Sequence, residues 1–243
     1  MRRLPVRSDL IPDVHRLLLV ALLVAAAWVG ISTATAAAGC PPAGAPPPPG
    51  VAERQVGDLD DDGLPDTLWI GPFRGADGAT TRAVGITTAS GDNTYVQVSS
   101  ASPIPMRALA VDAQDNGSHQ VIVSDGRSAH LFVVADCRLQ TEVDIKGVPF
   151  LFDLQNLRGH GTGVGCSDLG DGRRLVGLQA LPDGGNGGAW TVHRTEIDLN
   201  ATRATIGRSD TLTAGSAQDP VVTSAQTISC GNLSIDQDGV QEH

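Results

Sequence analysis

Beyond residue 54 the chain consists of short runs of apolar and β-branched residues, separated by Gly, Asp, Asn and Pro. The runs lack the spacing of an amphipathic helix, and turn residues recur about every 8–12 positions. This pattern predicts an all-β fold. The predicted strands cover residues 81–88, 94–99, 107–111, 120–124, 130–135, 139–145, 163–166, 174–180, 190–198 and 204–212.

An aspartate-rich turn recurs between these runs. Its fullest copy extends from Asp58 to Asp66, and its Gly63 aligns with Gly117 and Gly172, which follow at intervals of 54 and 55 residues. Each interval is long enough for four short strands, so the two nearly equal periods predict stacked four-stranded sheets. A fourth copy around Gly239 comes 67 residues later, with almost no chain after it.

The fullest copy has the ligand pattern of a calcium loop. Carboxylates occupy loop positions 1, 3, 5 and 9, and Gly at position 6 permits a sharp turn. Carboxylates at this spacing repel one another strongly unless a cation lies between them. We therefore expect the loop to bind Ca²⁺, as a structural ion that joins two strands. The candidate ligands are Asp58, Asp60, Asp62 and Asp66, with the backbone carbonyl of Leu64.

The other copies of the turn have weaker ligand sets. Asp112 is the only carboxylate at a ligand position in the second copy, and the carboxylates of the third copy, around Asp168, are out of register. We predict that both are turns without metal. The C-terminal copy fits the spacing better, and Asp236, Asp238 and Glu242 form a weaker candidate site.

Two features separate the fullest copy from an EF-hand: Trp69 stands where the bidentate Glu belongs, and the flanking residues are strand-like. An aspartate loop between strands resembles the FG-GAP and VCBS repeat families, which are similar to the propeller repeats of the integrin α N-terminal region. The resemblance implies a β-propeller-like array of about three four-stranded blades plus a partial fourth. It also implies a non-catalytic role in adhesion, ligand binding or cell-surface structure. The chain departs from the family in its blade number, since a closed ring normally needs at least four.

The first 39 residues have the layout of an export signal. Four arginines precede an apolar run at residues 17–31, and small residues follow at 34–38. An uncleaved N-terminal anchor is the alternative, although the run is shorter than the roughly 20 residues of a membrane span. A Pro-rich linker is predicted at residues 40–53 and the β-repeat domain at 54–243. The protein is therefore expected outside the cytoplasm, secreted or anchored to the outer face of the cell membrane.

The four cysteines fit an oxidising compartment. Cys40 follows a string of small residues that resembles a bacterial lipobox, so lipidation of Cys40 is one expectation and ordinary cleavage close to it is the other. Without lipidation, two disulfides can form in three connectivities. We favour Cys137 with Cys166, at strand ends in adjacent units, and Cys40 with Cys230.

The chain has a formal net charge of -10, and removal of its arginine-rich leader makes it more acidic. This charge argues against nucleic acid and anionic membrane surfaces as partners. The expected partner is an extracellular or cell-envelope ligand, with membrane contact only through an N-terminal anchor or lipid. The sequence contains no nucleophile motif, and aromatic residues make up only 3% of it. We predict a protein that is not an enzyme; the competing hypothesis is a cell-envelope hydrolase acting on wall polysaccharide.

Overall fold

The structure, a computed structural model, describes residues 39–154, 161–184 and 188–243. Strands account for 53% of these described residues and helix for 3%. The predicted all-β class is therefore confirmed. The predicted export signal lies outside the described residues, except for Gly39, and so does the part of the predicted domain at 155–160 and 185–187.

Twelve of the strands form three antiparallel meanders, in which consecutive strands pair in chain order. Sheet 1 contains β1 (Ala52–Gln55), β2 (Thr67–Arg74), β3 (Thr80–Thr87) and β4 (Asn93–Val98). Sheet 2 contains β5 (Arg107–Asp112), β6 (His119–Ser124), β7 (Ser128–Ala135) and β8 (Arg138–Thr141). The short β9 (Leu151–Asp153) pairs with the first half of β7. Sheet 3 contains β10 (Gly161–Asp168), β11 (Arg173–Pro182), β12 (Trp190–Asn200) and β13 (Arg203–Ala214).

Sheet 2 lies between the other two sheets and is apolar on both faces. In β5, Ala108 and Ala110 belong to an apolar cluster with residues of sheet 1, whereas Leu109 and Val111 belong to a second cluster with residues of sheet 3. Successive side chains of a strand point to opposite faces, which explains this division. Complete burial of each large apolar side chain stabilises the fold by about 1.5–3 kcal/mol. Because both faces of sheet 2 are buried, its strands are continuous apolar runs in the sequence rather than alternations of apolar and polar residues.

The segment predicted as a partial fourth unit does not form a four-stranded sheet. It divides into α1 (Pro220–Ser224), a hairpin of β14 (Ser229–Cys230) and β15 (Leu233–Ser234), and β16 (Val240–Gln241). The last of these pairs antiparallel with β5 and extends sheet 2. Part of the predicted fourth unit thus lies at the edge of sheet 2, where a two-residue strand gains more hydrogen bonds than alone.

Two disulfides connect Cys40 with Cys137 and Cys166 with Cys230. The favoured pairing was wrong. Val164 forms a parallel bridge with Ile228, so β10 and the segment before β14 run side by side and bring their cysteines together. The N-terminal segment instead reaches the turn between β7 and β8, where Cys137 lies. Disulfides persist in oxidising environments, so both bonds indicate an extracytoplasmic location.

Part of the predicted Pro-rich linker, residues 40–53, is bonded to the domain through Cys40 and Ala43. Cys40 is buried, and its sulfur is bonded to Cys137, which removes the thiol that lipidation needs. Further along, the carbonyl of Ala43 accepts a hydrogen bond from the N–H of Asn93 at 2.8 Å. The predicted boundary at residue 53 also shifts, since β1 begins at Ala52.

Candidate metal centre

The aspartate loop between β1 and β2, residues 56–66, is called loop 1. Two hydrogen bonds close it: Val56 N–H donates to the carbonyl of Asp66 at 2.8 Å, and Asp66 N–H donates to the carbonyl of Gly57 at 3.2 Å. Within it, Asp61 and Gly63 have φ angles of 60° and 87°. This is the left-handed region, which Gly adopts freely and Asp tolerates. Gly63 therefore supplies the turn that the sequence predicted.

The Asp58 carboxylate organises the loop. Oδ1 accepts the N–H groups of Asp60 at 3.3 Å and Asp62 at 3.2 Å, and Oδ2 accepts the N–H of Gly63 at 2.7 Å. Short acidic side chains commonly hold turns in this way. Asp58, at the first position of the predicted calcium loop, is thus also the main acceptor for the backbone N–H groups of that loop.

Asp66 is almost fully buried, with 1% of its surface exposed. Its Oδ2 accepts Leu59 N–H at 2.7 Å, and its Oδ1 accepts Ala89 N–H from the turn between β3 and β4 at 2.9 Å. Burial raises the pKa of the Asp66 carboxyl; the two N–H groups oppose this rise, and the negative charges of Asp60 and Asp58 add to it. The net direction is upward, so the folded loop disfavours the charged form of Asp66.

Asp60 completes a group of three carboxylates. Its Oδ2 accepts Cys40 N–H at 2.7 Å, whereas its Oδ1 is buried without a hydrogen-bond partner. One oxygen from each of Asp58, Asp60 and Asp66 lies within 4.8 Å of the other two. Two unit charges at that separation repel by about 3 kcal/mol at an effective dielectric constant near 20. Oxygens that bind one Ca²⁺ at 2.3–2.6 Å are at most about 5 Å apart, so the three carboxylates fit this ion.

Of the four predicted carboxylate ligands, Asp62 is outside this group. Asp62 is half-buried, and its Oδ1 accepts the N–H of Leu64 at 2.7 Å. Leu64 itself is 55% exposed. The structure therefore brings together the carboxylates at positions 1, 3 and 9 of the predicted loop, without that at position 5.

The sequence prediction missed Asp92, which lies at the same end of sheet 1, in the turn between β3 and β4. Asp92 is 4% exposed, and its Oδ2 is buried without a partner. Burial raises its pKa, and the charge of Asp60 adds to that rise. The available signal was topological: in a meander, the turn after the third strand returns to the end where the first turn lies.

Loop 2, residues 112–120, repeats the backbone arrangement of loop 1. Asp112 accepts the N–H groups of Gln114 at 3.2 Å, Asn116 at 3.2 Å and Gly117 at 2.9 Å. The fully buried Gln120 accepts Ala113 N–H at 3.1 Å, as Asp66 accepts that of Leu59. Burial opposes ionisation of Asp112, but the N–H groups of Gly117 and its neighbours outweigh this effect and lower its pKa. At loop positions 1, 3 and 9, loop 2 therefore has one carboxylate where loop 1 has three.

Loop 3, residues 168–172, is a shortened copy. Asp168 Oδ1 accepts the N–H groups of Gly170 at 2.6 Å and Gly172 at 3.1 Å. Asp171 forms an ion pair with Arg208 at 3.0 Å. In loop 3, the Asp168 carboxylate thus stabilises the turn, and the Asp171 carboxylate is paired with Arg208.

The weaker C-terminal candidates are not brought together at one point. Asp236 forms an ion pair with Arg107, and Asp238 Oδ2 accepts the N–H of Ser234 at 2.8 Å. Glu242 Oε2 accepts the N–H of Met106 at 2.8 Å. Each carboxylate has a different partner, so this copy serves to attach the C-terminal segment to sheet 2.

Among the residues that the structure describes, the three carboxylates of loop 1 form the one group with metal-ligand spacing. In those same ranges, no helix has the length and hydrophobicity that a membrane crossing requires. Comparison of the chain with protein-family models, curated proteins and solved structures finds no match.

Proposed function

We propose that the chain is a non-catalytic, calcium-stabilised repeat domain that acts outside the cytoplasm, where it binds an extracellular or cell-envelope ligand or has a structural role. The observation that carries this proposal is the convergence of Asp58, Asp60 and Asp66, including one buried oxygen without a partner. A divalent cation offsets the mutual repulsion of these carboxylates and satisfies that oxygen.

The role of the cation is structural in this proposal, because three separate segments already meet at its ligands. Asp58 holds loop 1, Asp60 accepts the N–H of Cys40 from the N-terminal segment, and Asp66 accepts the N–H of Ala89 from the β3–β4 turn. An ion bound to all three carboxylates stabilises one end of sheet 1 and the segment that crosses it.

For the architecture, we propose that sheets 1, 2 and 3 correspond to blades of the FG-GAP and VCBS type. Each sheet is a four-stranded meander, and an aspartate loop connects its first and second strands. Gly117 of loop 2 lies beside loop 1, since a Cβ at this position would lie 3.8 Å from Asp61 Oδ1. The loops of adjacent sheets are therefore neighbours, as stacking of equivalent units requires.

For location, we propose export, followed by release or retention at the outer face of the cell membrane. The two disulfides and the acidic composition support an extracytoplasmic role. The same acidity disfavours nucleic acid as a partner. With Cys40 in a disulfide, retention would use an uncleaved leader rather than a lipid on that cysteine.

Thermal melting with calcium and with EGTA tests the proposal. At a calcium concentration about 100 times the dissociation constant, binding stabilises the folded state by about 2.7 kcal/mol. For a chain of this length, this corresponds to an increase in melting temperature of about 5–10 °C. Mg²⁺ at equal concentration should have a smaller effect, since it requires a nearly ideal octahedral site. Equal midpoints with calcium and with EGTA would contradict the proposal.

A further inference from the structure

The N-terminal segment lies directly on loop 1. Cys40 N–H donates to Asp60 Oδ2 at 2.7 Å. Its neighbour Gly39 is even closer to the acidic side chains: a Cβ at this position would lie 2.5 Å from Asp62 Cβ, 2.8 Å from Asp60 Oδ2 and 3.1 Å from Asp62 Oδ2. Real Cβ atoms essentially never approach as closely as 2.5 Å, so only glycine fits here without a shift of loop 1.

The Gly39 nitrogen therefore lies close to two carboxylates. A backbone nitrogen is about 2.5 Å from the Cβ position of its own residue, which puts this nitrogen at most about 5.5 Å from Asp60 Oδ2 and Asp62 Oδ2. A positive charge on the Gly39 nitrogen would be stabilised there.

The sequence provides a way to create this charge. Ala36 and Ala38 stand at the third and first positions before Gly39, which is the small-residue pattern that signal peptidases cleave after. We infer that the chain is cut between Ala38 and Gly39, and that the new α-ammonium group of Gly39 becomes an internal cation of loop 1, paired with Asp60 and Asp62. Hydrolysis breaks the amide bond between Ala38 and Gly39 and adds the hydroxyl of water to the Ala38 carbonyl carbon. The nitrogen keeps its own proton and gains the other proton of water, and the proton released when the new Ala38 carboxyl group ionises completes the ammonium.

The surrounding contacts hold the new terminus in place. Cys40 is bonded to Cys137, its carbonyl accepts a hydrogen bond from the Ser90 hydroxyl, and the carbonyl of Ala43 accepts the N–H of Asn93. The ammonium group is therefore ordered before it pairs, and the entropic cost of the ion pair is small. Removal of the leader would then stabilise the exported domain and leave the precursor less stable. This inference does not require the proposed calcium ion.

The first test is the start of the exported chain. The full-length protein, with its own leader, is produced in an exporting bacterial host, and the mature product is characterised by intact mass and N-terminal sequencing. We expect Gly39 as the first residue. A chain that starts at Cys40, one that retains the leader, or one that carries a lipid on Cys40 would overturn the inference.

The second test removes the charge from the terminus. Lys146 is the only lysine, so the mature K146R variant has a single amine, that of Gly39. Acetylation abolishes its charge, whereas reductive dimethylation adds similar bulk and keeps it. In EGTA, which separates this effect from calcium, acetylation should lower the melting temperature by about 2–4 °C and dimethylation should leave it nearly unchanged.

Matched variants locate the effect. Asp60→Asn or Asp62→Asn should reduce the difference between acetylated and dimethylated protein, whereas Asp77→Asn, in the turn between β2 and β3, should preserve it. Equal melting temperatures for the two modified forms, or a difference that Asp60→Asn and Asp62→Asn both leave intact, would overturn the inference. A melting temperature that still rises with calcium in that case would leave the proposed function standing.

Discussion

Loops 1 and 2 have the same backbone hydrogen bonds and different charges. In both loops, the aspartate at position 1 accepts the N–H groups of the residues at positions 3, 5 and 6. A buried side chain at position 9 accepts the N–H of the residue at position 2. Asp60 and Asp66 of loop 1 correspond to Gln114 and Gln120 of loop 2. The turn thus folds with neutral amides, so its shape does not require the additional carboxylates.

The direction of the pKa shifts expresses the same contrast. Burial and neighbouring carboxylates raise the pKa of Asp66, whereas backbone N–H groups outweigh burial and lower the pKa of Asp112. The backbone N–H groups of loop 2 thus stabilise the charge of Asp112. Loop 1 has more negative charge than its own donors stabilise, which is the condition in which a cation binds.

The largest expected effect concerns Glu142, a buried carboxylate that lacks the hydrogen-bond donors that Asp112 has in loop 2. It is fully buried, both oxygens lack hydrogen-bond partners, and burial raises its pKa to about 7. A raised pKa means that its protonated form stabilises the fold at low pH and that this contribution is lost as the pH rises from about 4.5 through 7. The loss amounts to roughly 3 kcal/mol.

Glu142→Gln should therefore have nearly wild-type stability at pH 4.5 and exceed the wild type by up to that amount at pH 8, as measured by urea unfolding. Glu196→Gln is the matched control. Glu196 is also buried, but it accepts a hydrogen bond from Arg208 at 2.9 Å, so its replacement should destabilise the protein at pH 8. A pH-independent effect of Glu142→Gln would show that Glu142 is supported by a partner.

The second prediction concerns a variant in which loop 2 acquires the ligand carboxylates of loop 1. The double variant Gln114→Asp/Gln120→Asp restores carboxylates at positions 3 and 9. In EGTA it should be less stable than the wild type by about 2 kcal/mol, because Gln120 is fully buried and its replacement would be charged. Calcium should recover most of this loss and add a second bound ion. A variant that calcium does not rescue would indicate that loop 1 depends on Asp92 or on the N-terminal segment as well.

A third prediction compares equivalent positions. Asp58→Asn and Asp112→Asn each remove a carboxylate oxygen that accepts a glycine N–H, at 2.7 and 2.9 Å, and each should cost about 1 kcal/mol for that reason. In EGTA, Asp58→Asn should be the milder change, since it also relieves repulsion in loop 1. In calcium the order should reverse. The difference between the two melting temperatures is the quantity to measure, and an unchanged order would contradict a cation at loop 1.

The smallest expected effect concerns the left-handed residues. Asp61 and Asp115 have φ angles of 60° and 58°. Replacement by Gly removes the strain of that conformation, and Asp61→Gly also removes a negative charge from loop 1. We expect Asp61→Gly to stabilise the protein by about 0.5 kcal/mol in EGTA and Asp115→Gly by less, because Asp115 forms an ion pair with Arg173. Chemical denaturation resolves this difference, and a destabilising Asp61→Gly would mean that the Asp61 side chain has a role in loop 1.

Much of the fold follows from local features of the sequence. Turn residues at regular intervals were sufficient to predict an all-β chain and its four-stranded units, because each strand pairs with the next one along the chain. The ligand spacing of loop 1 identified Asp58, Asp60 and Asp66 for the same reason: a single turn brings them together. By contrast, Asp62 has the right spacing, but its Oδ1 accepts the N–H of Leu64 and it is not in this group, since a strand-flanked loop need not direct every alternate side chain to one point.

The features that were missed depend on contacts between distant segments. The disulfide of Cys40 with Cys137 requires the N-terminal segment to cross loop 1, and the prolines alone suggested a free linker. Asp92 becomes part of the acidic end of sheet 1 only through the return of the β3–β4 turn. The pairing of β16 with β5 joins residues more than 120 positions apart. Neither composition nor periodicity contains information of this kind.

The most direct test of a cation at loop 1 is the stoichiometry of calcium binding by isothermal titration calorimetry. The wild-type domain and Asp112→Asn should each bind one Ca²⁺, and Asp58→Asn should lose this binding or weaken it at least tenfold. Binding of no calcium by the wild type, or an equal affinity in Asp58→Asn, would contradict the account of loop 1 as the calcium-binding copy of a turn that loop 2 forms without metal.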